Sequence, residues 1–287
     1  MPNFSLTTHF SDLAASYDVV LCDVWGVVHN SIVASPDAHQ ALSKFRANGG
    51  AVVLITNAPR PAAEVKQQLD RMNVPHNSYD SIVTSGDLTR AVVAARTSQT
   101  VFHIGPKRDL PLFAGLNVLF VPNETADYIV CTGLFNDEGE TPEDYRAIFE
   151  KTLARKMFLL CANPDIVVER GPQLIYCAGA LAELYDSMGG AVTYTGKPHP
   201  PIYEEALKRA TAARGSAAPL TRVVAIGDSI RTDIKGASSF GIDSIFVTDG
   251  IHAEEFGTRE APNTEVVAKV LAREGVSPTA VMRRFMW

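Results

Sequence analysis

No apolar run in this chain approaches the length needed to span a bilayer, and Met1 to Phe10 lack both the basic stretch and the apolar stretch of a secretory leader. A cytoplasmic protein without a membrane partner is expected. Long runs of one charge are missing as well. With 26 basic and 32 acidic residues the formal charge is -6, which argues against a nucleic-acid surface and favours small molecules or proteins as partners. Cysteine is scarce: Cys22, Cys131, Cys161 and Cys177 are far apart, form no CxxC pair and sit in apolar surroundings. Buried free thiols are expected rather than disulfides or a zinc site. Internal repeats and low-complexity segments are also absent. What remains is 287 residues, 46% hydrophobic, enough for one large globular domain or two ordinary ones.

The most informative stretch is Val19-Val20-Leu21-Cys22-Asp23-Val24-Trp25-Gly26. Four apolar residues run into an aspartate and a glycine follows, the pattern of a buried parallel strand that ends on a carboxylate. In open α/β folds ligands bind at that edge, where a carboxylate serves as nucleophile, base or metal ligand. Capping of the loop is the bland alternative.

Further strands and helices alternate along the chain. A helix from Pro36, stopped by Asn48-Gly49-Gly50, leads to a strand Ala51–Ile55 that ends on Thr56-Asn57-Ala58-Pro59-Arg60. Thr56 and Asn57, between a strand end and a helix start, lie where backbone N–H groups favour a phosphate, although both residue types also cap helices. From about residue 87 to 190 the texture changes to a second α/β unit. Strand Ala191–Thr195 then ends on Gly196-Lys197-Pro198, where a lysine on a rigid turn can reach an anion. Strand Val223–Ile226 leads into Gly227-Asp228 and, five residues on, Asp233; two carboxylates so placed can face one hard cation. A last strand, Ile242–Val247, precedes Asp249-Gly250-Ile251-His252, and Pro278 to Phe285 reads as a docked tail.

Taken together these strand ends form a phosphate and Mg²⁺ constellation, and here the sequence resembles the haloacid dehalogenase superfamily of aspartate-nucleophile hydrolases. Asp23-Val24-Trp25-Gly26-Val27, Thr56-Asn57, Lys197-Pro198 and Gly227-Asp228 through Asp233 fall in the order of that family's four motifs. An insertion between the second and third, with Asn163-Pro164-Asp165 and Cys177 to Leu181 inside it, is similar to the class IIA cap of sugar-phosphate, nucleotide, pyridoxal phosphate and nitrophenyl phosphatases. The resemblance implies a Rossmann-like, doubly wound parallel sheet core of residues 1–86 and 191–287 with an inserted α/β cap of residues 87–190. It implies Asp23 as nucleophile. Asp23, Asp228 and the Trp25 carbonyl would hold Mg²⁺, with Asp233 in support, and Thr56, Asn57 and Lys197 would hold the phosphoryl group. Substrate contacts are expected from Asn57, Arg60, Lys197 and His252, and from the cap at Asn163 to Ile166, which includes Asp165, and at Cys177 to Ala180. A small phosphorylated metabolite is the implied partner, and a homodimer is in keeping, since capped relatives often pair through the cap.

One position departs from the pattern. Phosphatases of the family carry a second aspartate two residues after the nucleophile as general acid/base, and here Trp25 stands there. Indole has no proton to exchange near neutrality, and a general acid/base is typically worth about 10²–10⁴ in rate. Three readings follow: a phosphohydrolase limited to good leaving groups, a phosphate-ligand binding or regulatory protein, or a different reaction of the superfamily in which His29 or His252 supplies the proton. As loop residues, both histidines are expected mainly at the surface.

Overall fold

The computed structural model describes residues 4–30, 32–170 and 173–287. The chain divides into two compact units: residues 1–56, 66–83 and 203–287 form the first, and 57–65 and 84–202 the second.

The first unit is built on a seven-stranded sheet in the order Ser5–Leu6, Ala280–Met282, Asp243–Val247, Val223–Gly227, Val19–Asp23, Ala51–Thr56, Ser81–Thr84. Pairing is parallel from Ser5–Leu6 through to Ala51–Thr56. The three central strands are buried at every position, as the continuous apolar runs require of strands covered on both faces. Helix Pro36–Ala47 joins two of them. It starts where Ser35 accepts the Ala38 N–H and Pro36 takes the first turn, and it ends where Gly49 turns at φ +92°. The expected docked tail is in fact a strand, Ala280–Met282, inserted between Ser5–Leu6 and Asp243–Val247. Three residues are too few for an alternation to show.

The second unit holds a five-stranded sheet in the order Ala191–Tyr194, Phe158–Cys161, Tyr128–Cys131, Thr100–Ile104, Leu119–Phe120, parallel throughout. Strand alternation divides its core in two. Ile129, Cys131, Leu159 and Cys161 pack with Phe149, Leu181 and Tyr185, while Tyr128, Val130 and Leu160 pack with Leu112 and Phe113. A hairpin, Val167–Arg170 with Gln173–Tyr176, is added to this unit. One expectation is corrected here: Ala191–Tyr194, read as a strand of the Asp23 sheet, pairs with Phe158–Cys161 in the second sheet. Its composition suits either sheet, and the partner is set by a pairing more than 30 residues away in the chain, between Tyr194 and Cys161. Among the described residues no helix is long and apolar enough to cross a membrane, and all four cysteines are free and buried.

Candidate active site

Three carboxylates meet in the first unit. Asp23 ends its strand, and Asp228 follows the last residue of Val223–Gly227, the adjacent strand, where Cys22 lies opposite Ile226. The strand order reverses between these two strands: the chain builds outward on one side through Ala51–Thr56 and Ser81–Thr84, and later on the other through Asp243–Val247 and Ala280–Met282. A ligand crevice opens at such a switch point. Asp233 enters from a π-helical turn, Ile230–Ile234, an uncommon geometry that re-aims side chains at functional sites. One oxygen from each of Asp23, Asp228 and Asp233 lies within 4.8 Å of the others, and all three residues are buried.

Glycine makes the approach feasible. A Cβ on Gly26 would stand 1.9 Å from Asp228 Oδ2, and one on Gly250 would stand 2.0 Å from the same atom; Gly26 also takes φ +79°. Asp228 Oδ2 accepts the Ile251 N–H at 2.8 Å, and Asp233 Oδ2 accepts the Ser229 N–H at 3.1 Å, so main-chain donors orient both carboxylates. Like charges this close repel one another, and a cluster of hard oxygen donors suits a divalent cation such as Mg²⁺.

Beside the cluster, Trp25 is half-buried and stands edge-on to His29, with ring centroids 5.3 Å apart. His29 is only 2% exposed. The expectation of a surface histidine is therefore wrong: backbone bridges to Trp25 and to Ala34 fold this segment back and enclose the ring. His252 is tied on both sides. The Ile230 N–H donates to its Nε2 at 3.3 Å, so Nδ1 carries the proton and donates to Glu255 Oε2 at 2.8 Å. Its ring thus braces the turn after Asp228. Thr56 is buried at the end of its strand, one residue past the Asp23–Ile55 pairing.

In the second unit Asn57, Asp165 and Lys197 form a compact group. Asn57 Oδ1 accepts the Lys197 N–H at 2.7 Å, while Asn57 Nδ2 donates to the Lys197 carbonyl at 3.1 Å and to Asp165 Oδ1 at 2.9 Å. The Lys197–Pro198 peptide is cis. Gly196 has no room for a side chain, since a Cβ would lie 2.3 Å from Asn57 Oδ1. Lys197 is 2% exposed, in contrast to the usual solvated lysine. Asn163 Oδ1 in turn accepts the Asp165 N–H at 3.1 Å. Arg60, half-buried, leaves a turn whose backbone packs against Gly86 so closely that a Cβ there would meet Arg60 N at 2.5 Å.

Burial pushes the Cys131 thiol up to about 12, and Cys161 and Cys177 well above the usual thiol range, so these sulfurs stay protonated and are poor nucleophiles. Two polar residues that sequence reasoning passed over are buried near the ends of strands of the second sheet: Thr132 directly after Tyr128–Cys131, and Asp109 in the 3₁₀ turn Lys107–Phe113 that follows Thr100–Ile104. Their signal was Gly105 and Gly133, the same strand-then-glycine pattern that drew attention to Asp23.

Two family models match the sequence: "Haloacid dehalogenase-like hydrolase" over residues 20–118 and "HAD-hydrolase-like" over residues 194–273. A haloacid dehalogenase-like family hydrolase from Brucella suis 1330, of known crystal structure, is 42% identical, with 98% of this chain and 100% of that one covered and a TM-score of 0.87. The 4-nitrophenylphosphatase of Thermotoga maritima has the same fold at 21% identity, with 95% and 96% of the two chains covered and a TM-score of 0.68. The ribonucleotide monophosphatase NagD of Escherichia coli K12 is 26% identical, covering 81% of this chain and 88% of its own.

Proposed function

The chain belongs to the haloacid dehalogenase-like hydrolase family and is a hydrolase of the phosphatase class, and from that premise we propose a Mg²⁺-dependent phosphohydrolase whose nucleophile is Asp23. The observation that carries this reading is the buried cluster of Asp23, Asp228 and Asp233 at the switch point of the sheet. Its all-oxygen donors and the space that Gly26 and Gly250 leave around Asp228 fit Mg²⁺, with Asp23, Asp228, the Trp25 carbonyl and Asp233 as the residues that would hold it or its waters. When bound, Mg²⁺ supplies positive charge against the phosphoryl oxygens.

In the proposed reaction an Asp23 carboxylate oxygen attacks phosphorus, and the bond from phosphorus to the leaving oxygen breaks with its electron pair on that oxygen. Water then attacks the aspartyl-phosphate at phosphorus, the bond to Asp23 breaks, and inorganic phosphate leaves with the carboxylate restored. Thr56, Asn57 and Lys197 receive phosphoryl oxygens; the bonds from Asn57 to the Lys197 main chain support a fixed aim for that lysine. Arg60, Asn163 and Asp165 are assigned to the substrate, and His252 to bracing the Asp228 turn.

Trp25 decides the substrate class. Without a proton donor at that position the leaving oxygen departs as an anion, so acyl, enol and aryl phosphates are the substrates, as small phosphorylated metabolites. A second reading, a site that binds a phosphate ligand without turnover, draws on the same residue, since the half-buried indole offers a face on which a ligand ring can stack. Insertion residues 87–190 are assigned to specificity, and the cytoplasmic, homodimeric state stays part of the proposal.

The test is Mg²⁺-dependent turnover of nitrophenyl phosphate and acetyl phosphate by wild type, Asp23→Asn and Trp25→Asp. Activity in wild type that Asp23→Asn abolishes supports the hydrolase. Silence in wild type with activity gained in Trp25→Asp supports the binder, and activity retained in Asp23→Asn overturns the nucleophile.

A further inference from the structure

Three parallel strands finish side by side at one end of the seven-stranded sheet: Ser5–Leu6, Ala280–Met282 and Asp243–Val247. The residues that follow them, Thr7, Arg283 and Thr248, lie on the carboxyl edge that also carries Asp23 and Asp228, the edge at which such sheets take ligands. All three line a cavity of about 190 Å³ that contains none of the residues assigned to the phosphoryl site.

Much of the wall is hydrocarbon. Val267 and Val281 are buried there, and Leu6 and Pro262 add apolar surface. The hydroxyls of Thr7, Thr8 and Thr248 already have partners within the protein. Thr7 donates to Asp12 Oδ2 at 3.0 Å, Thr8 Oγ1 lies 2.8 Å from His9 Nδ1, and Thr248 donates to the Met282 carbonyl at 3.5 Å. No acidic side chain is part of the lining.

Arg283 stands apart from this wall. It is half-buried, and its guanidinium forms no ion pair or hydrogen bond with any described residue. Arg284 and Arg259 both pair with Asp249, so the nearby carboxylate is taken up by other cations. A guanidinium set against apolar surface loses hydration, and without an acceptor that loss is not replaced. Thr264, also on the wall, has a hydroxyl with no hydrogen bond among the described residues. The cavity therefore offers a planar cationic fork, one further donor and a hydrocarbon lining. One guanidinium matches the charge and the shape of one carboxylate. An apolar cavity of about 150 Å³ holds benzene, so this one has room for a carboxylate on a body of about four to six carbons.

We propose that this cavity is a binding site for a small monocarboxylate with a branched or ring hydrocarbon body, its carboxylate on Arg283 and Thr264 and its hydrocarbon against Val267, Val281 and Leu6. The inference is independent of the phosphohydrolase reading. Thr248 opens the turn that runs on to Ile251, whose N–H holds Asp228 Oδ2 at 2.8 Å, so one loop borders both sites.

The test is an NMR titration of the whole isotope-labelled chain without added Mg²⁺, read at the amides of Thr7, Thr248, Thr264 and Arg283. Isovalerate is expected to shift them saturably. It binds about 10-fold or more tightly than isoamyl alcohol, which keeps the hydrocarbon and lacks the charge. It also binds about 10-fold or more tightly than acetate, which keeps the charge and lacks the hydrocarbon. Arg283→Gln brings the ratio of acid to alcohol to about 1. No saturable shift at these amides, alcohol or acetate binding as tightly as isovalerate, or a ratio that survives Arg283→Gln overturns the proposal. All but the last of these use the unsubstituted protein and are independent of how the variant folds. Inorganic phosphate that matches isovalerate at the same amides overturns the carboxylate class.

Discussion

Asn57 grips the main chain of Lys197 from both sides, accepting its N–H at 2.7 Å and donating to its carbonyl at 3.1 Å, across 140 residues of sequence. The same Nδ2 also reaches Asp165 at 2.9 Å. Asn57→Asp removes both donated bonds and sets a carboxylate against a carbonyl and a second carboxylate. The expected outcome is a fall in kcat/KM of about 10²–10³, carried by kcat, because the proposed reaction relies on Lys197 being held by Asn57. A loss of stability on the order of 1–3 kcal/mol accompanies it. Steady-state kinetics and a urea titration read the two effects.

Gly26→Ala forces a Cβ to within 1.9 Å of Asp228 Oδ2 at a φ of +79°. The carboxylate must move, so the Mg²⁺ concentration for half-maximal activity is expected to rise at least about 10-fold, in keeping with the 10–100-fold cost of disturbing a group that supports a metal ligand. An Mg²⁺ titration of activity checks this, and an unchanged midpoint counts against Asp228 as a ligand.

Trp25→Asp places a carboxyl at the position where the proposed mechanism has no general acid. Turnover of alkyl phosphates is expected to rise by about 10²–10⁴, while aryl phosphates change far less. The measurement is kcat/KM across a series of leaving groups. A steep dependence on leaving-group pKa should flatten in the variant.

Asp109 and His103 give opposite pH dependences of stability. The Asp109 carboxyl, raised by burial to about 6, makes the folded state bind more protons than the unfolded chain between about 4 and 6, so its contribution falls as pH rises through that window. His103, lowered by burial to about 4, makes the unfolded chain bind more protons between its ordinary value near 6.5 and 4, so stability falls as pH drops there. Asp109→Asn is therefore expected to stabilise the protein at pH 7 by on the order of 2 kcal/mol and to have almost no effect at pH 4. It also leaves the acid loss due to His103 unopposed. Denaturant titrations of both proteins at the two pH values test this.

What the sequence revealed and what it hid divide along physical lines. Val19–Asp23, Ala51–Thr56 and Val223–Gly227 were legible because strands buried on both faces must be apolar at every position. The carboxylates at their ends stood out against those runs. Ser5–Leu6, two residues long and exposed, carries no pattern at all. The sheet to which Ala191–Tyr194 belongs is decided by pairing with a distant strand, which composition does not encode. His29 read as a loop residue because burial of a short segment depends on what folds over it. Asp109 went unnoticed because it lies five residues past its strand, in a 3₁₀ turn, and only the three-dimensional fold buries it.

The central claim is covalent chemistry at Asp23, and its most direct test is peptide mass spectrometry of protein quenched in acid during turnover of nitrophenyl phosphate with Mg²⁺. A phosphoryl group is expected on the peptide that contains Asp23, absent from Asp23→Asn and from protein treated with a chelator. Turnover without that adduct, or an adduct on another residue, would contradict it.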